Sequence, residues 1–74
     1  MYRRLDQKAT GEQLRTMAES KGITAYDIQK QMGFKSPASV YNWFLGRRTP
    51  TVEHFLELSR LFGVSVNEMC FFQE

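Results

Sequence analysis

The sequence predicts an all-α domain of five short helices. Three observations carry that expectation. No segment alternates apolar and polar residues with the period of two that a half-buried strand needs. Apolar residues recur instead at spacings of three and four. Hydroxyl residues able to cap a helix start stand at Thr10, Thr24, Ser36, Thr51 and Ser65, and glycines able to end one stand at Gly22, Gly33, Gly46 and Gly63.

A chain of 74 residues holds one small domain, and 42% apolar with 24% charged residues is globular rather than disordered composition. No apolar run approaches the roughly 20 residues that span a bilayer. The opening MYRRLDQKAT lacks the apolar core of a secretion signal, and the lone Cys70 cannot form an internal disulfide. The expectation is a cytoplasmic protein without membrane contact. A single histidine and a single cysteine argue against a protein-built metal site. Neither a serine, histidine and acid grouping nor a phosphate-cradling glycine loop is visible, so no enzyme and no cofactor are expected.

Residues 1–9 have no clear period and read as an arm ahead of a domain at 10–72. Thr10 opens the first helix, because Thr10-Gly11-Glu12-Gln13 fits a capping box. Leu14, Met17 and Ala18 form its buried stripe, Gly22 stops it, and Ile23 joins the core from the connection. Thr24 opens the second helix, with Ile28 and Met32 on its inner face, and Gly33 follows after about two turns, too few for a helix stable alone. A turn at Gly33-Phe34-Lys35 leads to Ser36 as N-cap and Pro37 in the first position of the third helix, where its missing N–H costs nothing. Val40, Trp43 and Phe44 face inward there, while Ala38, Ser39, Tyr41 and Asn42 face out, before Gly46 and Pro50 end the segment. Two short helices joined this tightly, the first ending in glycine, match a helix-turn-helix unit.

The fourth helix runs from Thr51 to Phe62. Val52, Phe55, Ser59 and Phe62 share one stripe, Leu56, Leu58 and Leu61 add a second apolar surface, and His54 falls on the polar side. Ser65 and Glu68 make a capping box for a last helix whose Val66 and Met69 reach the core. Cys70, Phe71 and Phe72 close the chain as an apolar cluster.

Net charge is only +2, but its distribution is uneven: between Asp27 and Glu53 there is no acid, yet Lys30, Lys35, Arg47 and Arg48 fall there. One basic face on a nearly neutral molecule is the footprint of phosphate contact. A short helix held by large apolar groups, with small polar groups outward and two arginines at its end, suits a DNA groove.

These residues together resemble the compact helix-turn-helix DNA-binding domains of the Cro and phage-repressor (Xre) type over about residues 10 to 70. The resemblance rests on Ile28, Met32 and Gly33, on Val40 and Trp43, on Gly46-Arg47-Arg48-Thr49-Pro50, and on the run from Leu61 to Met69. It implies a five-helix lambda-repressor-like fold and a regulator of transcription, a repressor, whose third helix enters the major groove of double-stranded DNA. Two departures stand out. Gln29 occupies a position where the family often has a small residue, and the spacing from Gly33 to Val40 is one residue longer than the family's shortest form.

By resemblance, Pro37, Ala38 and Asn42 hold the base-facing positions, with Ser39 close by. The Asn42 carboxamide can pair with adenine through donor and acceptor, and Pro37 and Ala38 offer apolar contact to a thymine methyl. Lys35, Arg47 and Arg48 are expected on phosphates, with Tyr26 and Tyr41 as further candidates and the backbone at Thr24 and Ala25 as an anion-binding helix start. Trp43 is expected in the core rather than stacked on a base. One domain with few base contacts reads DNA better as a homodimer, for which Leu58, Leu61, Phe71 and Phe72 are the candidate interface. The alternative is an antitoxin or other interaction module that binds a protein partner such as a toxin through the apolar C-terminal face.

Overall fold

A computed structural model describes residues 3–73; the first two residues of the expected arm, and residue 74, lie outside it. The order is α1 (Gln7–Ser20), α2 (Ala25–Met32), α3 (Ala38–Phe44), α4 (Val52–Phe62) and α5 (Val66–Met69). Every helix contributes to a single core: Leu14 and Ala18 from α1, Ala25 and Ile28 from α2, Val40, Trp43 and Phe44 from α3, Phe55, Leu58 and Phe62 from α4, and Met69 from α5. No helix among the described residues is long and apolar enough to cross a membrane.

The first helix starts earlier than Thr10. Asp6 is its N-cap, its carboxylate accepting from the Ala9 N–H at 3.0 Å, so Gln7, Lys8 and Ala9, expected in the arm, are helical. Thr10 is instead buried inside the helix at 2% exposure, and its Oγ1 accepts from the Phe71 N–H at 3.0 Å. That bond ties the C-terminal segment to α1. Around it the two ends of the chain pair: Leu5 and Phe72 form an isolated antiparallel bridge, Asp6 N–H donates to the Phe71 carbonyl (2.7 Å), and Gln73 N–H donates to the Arg4 carbonyl (2.8 Å).

The expected caps hold at three other helices, while Ser36 is not the cap of the third. Thr24 caps α2 in a full capping box with Asp27, Thr51 caps α4, and Ser65 with Glu68 caps α5. The third helix begins one residue after Pro37, which occupies the cap position without a side-chain bond, while the Ser36 hydroxyl accepts from the Ala38 N–H at 3.3 Å. In α4 the expected stripe is shifted. Phe55, Leu58 and Phe62 point inward, whereas Val52 is 75% and Leu56 55% exposed. The inward set follows a 3–4 spacing that fits the cleft left by α1, α2 and α5, and only one of two overlapping stripes can fill it.

Glycine governs the approach of α1 to α3. A Cβ on Gly11 would lie 2.2 Å from the Trp43 carbonyl oxygen and 2.8 Å from that of Phe44. At Gly46, where φ is +76°, a Cβ would lie 2.7 Å from Lys8 Cα. The two backbones touch because neither residue has a side chain. Gly46 also closes α3: its N–H donates to the Trp43 carbonyl and the Arg47 N–H to that of Asn42, the paired bonds of a Schellman stop.

Candidate nucleic-acid interface

The α2–turn–α3 unit presents the outer side of α3. Val40 and Trp43 are 0% and 4% exposed and anchor the helix. Ala38 and Tyr41 are exposed on the opposite side, and Pro37, Ser39 and Asn42 are half-buried at its edges. The Asn42 carbonyl is spent on the Schellman stop, while among the described residues its carboxamide has no intramolecular hydrogen bond. It therefore keeps both a donor and an acceptor for an outside group.

Two elements that sequence reasoning does not find set the aim of α3. The Gln29 carboxamide donates to the Phe34 carbonyl at 3.1 Å and braces the lengthened turn. The Phe34 ring meets Trp43 edge-on at 5.7 Å and His54 at 5.1 Å, with His54 also 5.4 Å from Trp43. His54 thus does not sit on a solvated polar side; it is half-buried in an aromatic trio that joins the turn, α3 and α4. The signals available in the sequence are two: Gln29 departs from the family's small residue, and Phe34 is an aromatic next to a helix-ending glycine.

The cations frame this surface. Lys35, Arg47 and Arg48 are exposed, and the ion pairs among the described residues are Arg15–Glu19 and Arg60–Glu57, so none of the three is engaged by an acid. A shallow depression beside α3 gathers Ser39, Trp43, Arg47, Arg48, Thr49 and His54. The N-terminus of α2 differs from expectation in one respect. Thr24 N–H is already donated to the Asp27 carboxylate at 2.9 Å, which leaves the N–H groups of Ala25 and Tyr26 for an anion. The bonds from Thr24, backbone first and hydroxyl second, with Lys30 adding to them, hold the Asp27 carboxyl below its ordinary value of 3.8. Tyr26 is 58% exposed, and Tyr41 is 46% exposed with its ring edge-on to Phe44 at 6.4 Å.

The candidate dimer residues separate. Leu58 is 1% exposed and belongs to the core, so it is removed from any interface. Leu61 is half-buried, while Phe71 and Phe72 are 45% and 43% exposed.

Residues 14–69 match the family model described as helix-turn-helix. The restriction-modification controller protein C.AhdI from Aeromonas hydrophila superposes with a TM-score of 0.76 at 20% identity, covering 86% of this chain and 96% of that one. The DNA-binding domain of BldD gives a TM-score of 0.71 at 25% identity, covering 86% and 92%. A likeness to HppE has a TM-score of 0.78 at 16% identity, but it involves 36% of that chain, so it concerns the fold of one portion of HppE. No curated protein matches the sequence.

Proposed function

The chain belongs to the helix-turn-helix family of Xre-type DNA-binding transcription regulators, and we propose that it acts as a homodimeric repressor, each copy laying α3 in a major groove of an inverted repeat. The carrying observation is the division of α3: Val40 and Trp43 are held in the core while Ala38 and Tyr41 face out, with half-buried Asn42 at the edge, beside Arg47 and Arg48, which are in no ion pair among the described residues. A major groove admits a helix, and its first turn reaches deepest. In this reading Asn42 reads adenine, a bidentate contact that discriminates by about 1–3 kcal/mol. Pro37, Ala38 and Ser39 contribute shape and apolar contact. Lys35, Arg47, Arg48, Tyr26, Tyr41 and the backbone of Ala25 and Tyr26 hold phosphates, which fix register and supply affinity.

The domain named in the BldD structure binds DNA, and at 25% identity over most of both chains it supports the same role here. Repression in this reading would come from exclusion of other proteins at an occupied promoter. The exposed Phe71 and Phe72, with Leu61, are the proposed contact between copies, and a cytoplasmic setting suits the unpaired Cys70. Selection of bound sequences from a random duplex pool tests the whole reading. Enriched inverted repeats are expected, with two protomers per site by sedimentation and Asn42→Ala relaxing one adenine position. Failure to bind duplex in dilute buffer would refute DNA recognition, and one protomer per site at saturation would refute the dimer.

A further inference from the structure

We propose that Arg4 and Lys8 form a second phosphate-binding patch, continuous with Arg47 and Arg48, by which the start of α1 holds the DNA backbone alongside α3. The inference rests on the DNA-binding reading above and extends its footprint to a part of the chain that lies outside the helix-turn-helix unit.

Continuity is geometric. Gly46 lies so close to α1 that an added Cβ would come within 2.7 Å of Lys8 Cα and 3.1 Å of Lys8 N. The Gln7 carboxamide donates to Thr49 Oγ1 at 2.7 Å, clamping the first turn of α1 to the loop that carries both arginines. Two depressions meet at this clamp. One holds Ser39, Arg47 and Arg48, the other holds Arg4 and Lys8, and Gln7 and Thr49 line both. Arg4 and Lys8 are exposed, and neither is in an ion pair among the described residues.

The patch is also fixed in place. The Arg4 carbonyl is held by the Gln73 N–H at 2.8 Å, and Lys8 is inside α1, so neither cation rides on a free arm. Asp6 is the acid beside them; it caps α1 by accepting from the Ala9 N–H, and its charge offsets one of the cations, so the patch as a whole stays positive. Arg3 is excluded from the patch, because its guanidinium lies over the Phe72 ring at 5.1 Å. With Arg47 and Arg48, Arg4 and Lys8 put four cations around two joined depressions, and a cluster of like charge that nothing binds costs folding energy.

The test is the salt dependence of duplex binding, read by fluorescence anisotropy on the full chain. Removing one cation from a phosphate makes the log–log slope shallower by about 0.9. The Arg4→Gln/Lys8→Gln double variant should therefore lose roughly 1.8 of slope per protomer, with its ranking of DNA sequences unchanged. A control variant, Arg15→Gln/Arg60→Gln, removes the same charge from paired surface sites and should leave the slope near that of the parent. Lys8→Arg should restore the Lys8 share. If Arg47→Gln/Arg48→Gln flattens the slope while Arg4→Gln/Lys8→Gln does not, or if the control flattens it equally, the patch is overturned and the α3 reading stands. If the parent binds no duplex at low salt, both readings are overturned.

Discussion

Gly11→Ala is a small change that should damage this protein. Gly11 lies inside the 14-residue α1, where alanine is the better helix former by about 1 kcal/mol. Propensity alone therefore predicts stabilisation. The structure predicts the reverse. The new methyl would stand 2.2 Å from the Trp43 carbonyl oxygen, 2.8 Å from that of Phe44 and 3.1 Å from Gly46 N, where ordinary contact begins at 3.4 Å. All three are backbone atoms, so no rotamer change relieves them. α1 and α3 must part by about 1 Å to reach ordinary contact. Overpacking of this kind costs about 1–3 kcal/mol, and the rigid obstacle places it in the upper half of that range. After the helix gain, a net loss of roughly 1–2 kcal/mol remains, or a fall of about 5–15 °C in melting temperature for a domain of this size. Thermal unfolding followed by circular dichroism measures it. The neighbouring Glu12→Ala, at an exposed site, should change stability by less than about 0.5 kcal/mol. If Gly11→Ala melts at or above the parent, the close packing of α1 on α3 is refuted.

Thr10→Val keeps the shape but removes the acceptor for the Phe71 N–H. With Thr10 2% exposed, it should cost about 1–3 kcal/mol in chemical denaturation and speed hydrogen exchange at Phe71. Asp27→Ala should lower the melting temperature at neutral pH by removing half of the α2 capping box. Because the folded carboxyl titrates below 3.8, its contribution is present above that value and is lost as pH falls through the lower folded pKa. The parent and variant melting curves should therefore converge in acid; a difference that persists there would contradict the assignment. Gln29→Ala releases the Phe34 carbonyl and should narrow the ratio of specific to nonspecific DNA affinity while leaving the salt slope unchanged.

The elements that can be read from the sequence are those decided within a few residues. The capping box of Ser65 and Glu68, the glycine ending α2, and the inward set Val40, Trp43 and Phe44 depend on neighbours no more than four positions away. Of the expected outward set on α3, Ala38 and Tyr41 follow from the same periodicity, while Ser39 and Asn42 are half-buried. What local pattern gets wrong depends on contacts distant in the chain. Thr10 has the spacing of a cap, yet Asp6 has the equivalent spacing to Ala9, and the choice between them is made by Phe71, which draws the Thr10 hydroxyl inside. Val52 and Leu58 sit on overlapping apolar stripes of one helix, and the cleft selects Leu58. Gly11 has the position of a residue in a helix start, but its role is to let a second helix approach. These differences share one cause. Pairing of residues 4–6 with 71–73 and contact of α1 with α3 turn an apparent arm into a fixed edge, so the backbone that carries Arg4 and Lys8 acquires a definite position beside the loop of Arg47 and Arg48. A basic pair at a terminus is ordinarily solvated and contributes little. Held against the loop after α3, it adds to the positive field of Arg47 and Arg48, and this is a property of the tertiary contact rather than of the local residues.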